Sequence, residues 1–559
     1  MKNPSRRSDC GLEFCFHKPA KPGETQEMSP TKRKIASFTS RAFDLPTALF
    51  LLAALIFLYR RLFVFLFLPT AGNVIGDCFR FLASGQRLYQ GEMIYRDFFD
   101  FVPPGTAIVN FLLFKLFGLR LWIPDLSALL LALGLVCTGV AISKKLMRPS
   151  LALMPSAVFL VGLSSFLQDP THHWYSLLAA SAAIAVLIEK RTTLRIAAAG
   201  LLCGISASFN QTSGLAAVVG FAFYLLWESR QRNESWNRLL RNQAWLLLSF
   251  LATVLAVSAY FICEAGPVRL FWCTVFFVVK YFPKQADLDT LSLVLRNDLR
   301  IYFPVFDPMH FSFYRLFARV LLLFAIIPSS FIFFFAHYLR ASRKKPFEYW
   351  ERPMLVAIVG LALFLSVAPA PDDVRMAGIS LPALILLGWL MDSSRKLVRA
   401  FLSVVAVGLA LVAFHAVVAK GPTPAGILTT PEGELAFSDR GAFEVYAWVQ
   451  QHTQPSEYFY SPESPDEYFY LNLRNPTPLT FITNNGFTTT EQVAEVIRGL
   501  QQHRVRYILW DPQGLDVLPA WENPSDDHLG PLRDYIHSSY MRTKVFDGST
   551  EVWERQTGS

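Results

Sequence analysis

Residues 76–118 read GDCFRFLASGQRLYQGEMIYRDFFDFVPPGTAIVNFLLFKLFG. The stretch follows a hydrophobic run at 46–68, and its first acid, Asp77, sits just past the exit of that run. Acidic groups beside a bilayer are costly to hold and are usually functional. After Asp77 come a glycine-bounded amphipathic piece, Tyr95-Arg96-Asp97-Phe98, and Pro103-Pro104-Gly105. The fold turns on whether 104–118 is counted as a membrane span, because that choice inverts everything downstream.

The whole chain must then be a membrane protein. It has 559 residues, 53% hydrophobic, 14% aromatic and only 17% charged, against about 25% charged in a soluble chain. Runs of bilayer-spanning length, about 20 apolar residues, recur at 46–68, 124–143, 151–167, 173–188, 194–208, 213–227, 243–263, 315–337, 353–369, 375–391 and 398–418. The net charge of +9 raises nucleic acid as a partner class. However, Lys and Arg cluster between the hydrophobic runs, which is the positive-inside pattern and excludes it. The seven cysteines form no C-x-x-C pair, so neither a zinc site nor a disulfide framework is indicated.

Charge decides the status of 104–118. With it left outside the membrane, the inward connectors 144–150, 189–195, 228–242, 338–352 and 392–399 carry the basic residues. The outward connectors near 168–172 and 209–212 carry none, and the one near 370–375 has only Arg375. That split predicts about eleven spans, a cytoplasmic N-terminus and an extracytoplasmic C-terminus. The segment 104–118 is then expected along the outer surface as an interfacial amphipathic helix. Arg60-Arg61 is the misfit. Either the first span ends early, near Leu58, or the pair faces a polar cavity; snorkelling is the simpler account.

Three domains are expected: a disordered basic tail (1–45), a mainly α transmembrane domain (46–420) with outer loops 69–123 and 264–314, and a small α/β domain (421–559). In the last, Phe443 to Gln451 and Glu491 to His503 have helical spacing. Val505 to Trp510 reads as a strand, as do Glu457–Tyr460 and Tyr468–Leu471, and Val545 to Glu554 reads as a hairpin. It has neither a phosphate-binding glycine loop nor a nucleophile elbow, so it reads as a cap or an acceptor-docking module.

The order of parts in 76–118, closing on Phe117-Gly118, resembles the first extracytoplasmic loop of GT-C glycosyltransferases. These polytopic enzymes take a sugar from a polyprenyl-phosphate carrier; the protein O-mannosyltransferases and the lipid A aminoarabinose transferase are examples. The resemblance implies Asp77 as the catalytic carboxylate, a polyprenyl-phosphate-linked sugar as donor and a glycan, lipid or protein as acceptor. A bacterial inner membrane is the expected location.

The chemistry asks little of the protein. A carboxylate must reach the acceptor proton, the transition state is oxocarbenium-like, and cations must hold the departing phosphate. Asp77 fits the base, the reading favoured here, and can also cap the helix that follows it. Arg96 and Asp97 fit a substrate contact or a local ion pair. Asp169 with His172 and His173 corresponds to the second acid the resemblance implies. The three could ligate a divalent cation, but adjacent histidines usually point apart, so capping and substrate contact rank above a metal. No cofactor is firmly implied. Gln211, in Asn210-Gln211-Thr212, is expected near the carrier phosphate or else closing broken helix ends. Arg375 is expected on the carrier phosphate. The competing readings are a lipid-linked sugar flippase, which would need charges within several spans, and an O-antigen polymerase or ligase, which would concentrate Arg and His in a late loop.

Overall fold

The computed structural model describes residues 44–63, 76–163, 166–286, 320–368, 371–393, 400, 403, 408, 424–463, 465–518, 524–546 and 549–556. The tail to residue 43, the segment 287–319 with Arg296 and Arg300, and nearly all of the expected span 398–418 lie outside the described residues.

Each of the other ten expected spans has a helix. Among the described residues, six helices are long and apolar enough to cross a membrane: Leu45–Leu62, Ile123–Leu146, Gln211–Gln231, Trp236–Ala265, Leu321–Ala341 and Phe347–Val367. The protein is therefore an integral membrane protein. Two helices are shorter than their apolar runs, Met154–Gly162 and Ser380–Ser393, while His172–Leu187 and Thr193–Phe209 match theirs. Met154–Gly162 has nine residues, a rise of about 14 Å against a hydrocarbon core of about 30 Å. An apolar run records burial as well as lipid exposure. Val158, Phe159 and Leu160 are buried against neighbouring helices.

Small residues let these helices approach closely. A side chain at Gly200 would meet the Leu246 carbonyl oxygen at 2.2 Å, and one at Gly204 would meet that of Phe250 at 2.8 Å. Thr193–Phe209 therefore packs backbone to backbone on Trp236–Ala265.

The basic connectors gather at one end of the helices. Arg191 pairs with Glu228 at 3.4 Å and Glu351 at 2.9 Å, and Arg232 joins the same two acids at 3.3 and 3.0 Å. Lys145 pairs with Glu189, Arg148 with Asp392, and Arg352 donates to the Lys145 carbonyl. Residues far apart in sequence but alike in charge thus close one end. The opposite ends carry Asp77, Asp169, Asn210 and Asp372.

Residues 76–123 fold as a unit between two helices. Cys78–Tyr89 is the amphipathic one, burying Phe79, Phe81 and Leu82. Gly105–Phe117 has 13 residues, about 20 Å of rise, too short to span. It also departs from the amphipathic expectation. Ala107 and Phe114 are buried, yet Leu112, Leu116 and Phe117 are exposed, so it is apolar on both sides, with Lys115 over the Tyr89 ring at 5.1 Å. Loop 264–314 likewise opens as helix (Pro267–Phe271, then Trp272–Phe276 and Phe277–Ala286). Leu45–Leu62 ends with Arg60 and Arg61 in its last turn, so the pair marks a helix end and not a span centre.

After residue 424 the chain forms a hairpin of β1 (Gly426–Thr430) and β2 (Gly433–Phe437), then a three-stranded sheet of β3 (Tyr507–Trp510), β4 (Tyr540–Phe546) and β5 (Thr550–Arg555), in the order β3-β5-β4. Every named strand pair is antiparallel. Helices Arg440–His452 and Thr490–Gln502 appear where the spacing predicts, and Gly530–Ser539 is a third helix. The strand expected at Tyr468–Leu471 is instead the helix Asp466–Tyr470. Pro465 sits just before it and Asp466 and Glu467 fill its first turn, a helix-start pattern. Among the described residues, Glu457–Tyr460 makes only isolated bridges, to Arg474 and Ile508.

Candidate active site

Asp77 stands at the N-terminus of Cys78–Tyr89, but its side chain makes no capping hydrogen bond. The capping alternative is thus not taken up, and the carboxylate is spared from holding its own helix. The preceding residue shows why the turn is built as it is. Gly76 has φ +90°, and a side chain there would meet Asp169 Oδ2 at 2.6 Å. Only glycine gives both this backbone and this clearance.

Asp169 lies across that turn. Its Oδ1 accepts from the Cys78 N–H at 2.8 Å, and the Asp77 N–H donates to it as well. Burial, and then the nearby Asp77 carboxylate, push Asp169 up to about 7, although the two N–H donors favour its ionised form. Desolvation outweighs hydrogen bonding here. Two carboxyl groups from different loops thus share one site, one of them poised to be neutral near neutral pH.

His172 and His173 start the next helix. Contrary to the expectation that they diverge, their rings lie 4.0 Å apart, and His172 also packs on Phe81 at 5.1 Å. His172 Nδ1 is buried without a hydrogen-bond partner among the described residues. The charges of Arg80 and Arg375 both reach His172. Arg375 is in the short helix Asp373–Ala377, held by Asp372, whose carboxylate accepts from its N–H at 2.7 Å and pairs with its Nε at 3.0 Å. His173 lies beside Gly378, at the end of that helix.

Asn210 closes Thr193–Phe209 and caps Gln211–Gln231, accepting from the Ser213 N–H at 3.1 Å. It also meets His173 Nδ1 at 3.3 Å. The broken-helix-end alternative therefore describes Asn210. Gln211 turns away, with its amide 3.5 Å from the Phe101 carbonyl and 3.4 Å from that of Thr274. Arg96 and Asp97 form a local pair at 2.9 Å, and Arg96 also reaches Glu264 at 2.7 Å. They line a different cleft, with Arg87 and Arg474.

The structure thus brings Asp77, Asp169, His172, His173 and Arg375 together, and sets Gln211 and the Arg96-Asp97 pair apart. It adds Arg80, which sequence reasoning passed over. Arg80 pairs with Asp100, and its guanidinium lies 4.2 Å from the Phe101 ring centre and 5.3 Å from those of Phe81 and Phe481. The available signal was spacing: Asp77 and Arg80 are one helical turn apart. A second omission is Asp125, fully buried behind Cys78, both of whose carboxyl oxygens lack a hydrogen-bond partner among the described residues. Among the described residues no three His, Cys, Asp or Glu side chains are grouped to hold a metal ion.

The C-terminal residues wall this site. Phe79 and Leu82 share a buried cluster with Phe469, Tyr470 and Leu509. Arg87 donates to the Thr477 carbonyl at 2.9 Å, and Gln86 to that of Leu473 at 3.3 Å. The helix that starts at Asp77 is therefore fixed from both sides.

No protein-family model and no curated protein sequence matches the chain. Solved structures do. ArnT from Cupriavidus metallidurans bound to undecaprenyl phosphate aligns with a TM-score of 0.56 at 13% identity, covering 92% of this chain and 98% of its own. The apo state of the same protein gives 0.52 at 12% identity, over 91% and 97%. The arabinofuranosyltransferase AftD from mycobacteria aligns at 0.48 and 12% identity, over 91% of this chain and 40% of its own. The chain shares the fold of ArnT.

Proposed function

We propose that the chain is a membrane glycosyltransferase moving a sugar from a polyprenyl-phosphate carrier to an extracytoplasmic acceptor. One observation carries the reading: Asp77 and Asp169 share a site, with Arg80 and Arg375 both near the adjoining His172. The undecaprenyl phosphate on the structurally similar ArnT supports the choice of carrier.

In this reading the Asp77 carboxylate takes the proton from the acceptor hydroxyl or amine. The acceptor atom bonds to the anomeric carbon as its bond to the carrier phosphate oxygen breaks. The phosphate leaves with the electron pair and needs cations. Arg80 and Arg375 supply fork geometry for it. Asp169, when neutral, adds no second negative charge beside the departing phosphate. The exposed face of Gly105–Phe117, with Leu112, Leu116 and Phe117, rests on the outer leaflet. The basic ends of the helices face the cytoplasm.

The test is Asp77→Asn in proteoliposomes supplied with an undecaprenyl-phosphate-linked sugar pool and a cell-envelope acceptor extract. Transfer is expected to fall by about a hundredfold or more, with insertion unchanged. Undiminished transfer by the inserted variant rules the reading out.

A further inference from the structure

A second cleft, of about 480 Å³, opens where loop 76–123 meets the C-terminal residues. Its volume lies in the range of ligand sites, about 300–1,000 Å³. Five arginines line it, Arg87, Arg96, Arg269, Arg474 and Arg498, against three carboxylates. Each carboxylate is already engaged. Glu92 holds Arg87 at 2.6 Å, Asp97 holds Arg96 at 2.9 Å, and Glu495 lies 4.0 Å from Arg498.

Arg269 and Arg474 are different. Among the described residues neither pairs with a carboxylate. Arg269 donates its Nε to the Tyr95 carbonyl at 3.2 Å and stacks on Trp272 at 5.1 Å. Arg474 has a buried Nε with no hydrogen-bond partner among the described residues. Two guanidinium groups without countercharge in a concave wall focus positive potential into the cleft and offer forks that match an oxyanion. The rest of the wall suits hydroxyls. Gln90, Asn475 and Gln502 line it with amides that both donate and accept. Tyr458 and His503 also line it, stacked at 4.0 Å.

We propose that this cleft binds an anionic saccharide, the oxyanion between Arg269 and Arg474 and the hydroxyls on the amides. Calling that saccharide the acceptor rests on the glycosyltransferase reading; the binding chemistry does not. Arg87 lies in the last turn of the helix that Asp77 begins. Ten residues separate the two in sequence, about 15 Å of helical rise, so a chain held in the cleft has a second point of attachment away from the reacting group.

The experiment is calorimetric titration of the full chain in detergent with trigalacturonate, glucose 6-phosphate and maltotriose. Carboxylate and phosphate sources separate in the first two arms. At least one anion is expected to bind about tenfold or more tighter than neutral maltotriose. Arg269→Gln with Arg474→Gln should weaken it by about tenfold or more, and Arg474→Lys should restore part of the loss. Anions binding no better than maltotriose, or equally well to the double variant, overturn the proposal. If the double variant does not insert, the comparison of anions with maltotriose on the unaltered chain decides. Asp77→Asn separates the two claims. If it abolishes transfer while no anion binds, the cleft proposal fails alone. If anions bind but Asp77→Asn transfers normally, the transferase reading fails and a saccharide site remains.

Discussion

The Cys78 N–H donates to the Asp169 carboxylate at 2.8 Å across 91 residues of sequence. This bond ties the loop that starts at Asp77 to the loop that precedes helix His172–Leu187. Asp169 is pushed up to about 7, chiefly by burial. From the ordinary aspartate range up to about 7 the folded chain holds a proton that the unfolded chain has released. The stabilisation is therefore complete at low pH and is lost as pH rises through about 7. Transfer should follow the same group, falling above about pH 7 as a second negative charge appears beside Asp77. Asp169→Asn keeps an acceptor for Cys78 but cannot ionise. Initial rates between about pH 5.5 and 8.5 should lose their alkaline limb in this variant. An unchanged limb would assign that titration to another group.

Gly76 should tolerate nothing larger. Its φ of +90° and the 2.6 Å approach of Asp169 Oδ2 mean that Gly76→Ala strains the turn and pushes the two acids apart. Strain of this kind costs about 1–3 kcal/mol. Transfer is expected to fall about ten- to a hundredfold with near-normal insertion. Wild-type rates in Gly76→Ala would show that the spacing of the acids does not matter.

The sequence reveals the ends of the site better than its middle. Asp77, Asp169 and Arg375 were legible because each lies where a hydrophobic run stops, and the charge count put those stops on one side. The gathering of basic connectors around Arg191, Glu228 and Glu351 has the same origin. Arg80 with Asp100 was not legible, because their meeting depends on the turn through Tyr95, which has φ 71°. Helix Asp466–Tyr470 was missed because three consecutive aromatics resemble a buried strand. The structure buries all three, a helix enclosed by neighbours on several sides. The cleft of Arg269 and Arg474 had no local signal, since its walls come from segments about 200 residues apart.

Arg80 tests whether the cation must be a fork. Arg80→Lys keeps the charge but loses the planar contact with Phe101 at 4.2 Å and any bidentate hold. The expected result is a loss of about tenfold in kcat/KM, mainly through KM for the lipid-linked donor. Asp100→Asn releases the same guanidinium, so the two changes together should cost less than the sum of each alone. Strict additivity would show that Arg80 and Asp100 act separately.

Arg87 tests what the C-terminal residues do for Asp77. Its side chain is 7% exposed; it donates to Glu92 at 2.7 Å and to the Thr477 carbonyl at 2.9 Å, and lies 4.4 Å from the Phe98 ring centre. Arg87→Ala removes all three contacts and leaves a half-buried carboxylate and a buried carbonyl unpaired. The cost should be about 2–4 kcal/mol. If that docking orients the helix beginning at Asp77, transfer should fall as the C-terminal residues become easier to cleave in limited proteolysis. Arg87→Lys, which can still reach one partner, should lie between the two on both measures. Easier cleavage with undiminished transfer would mean that the C-terminal residues cover the site without positioning it.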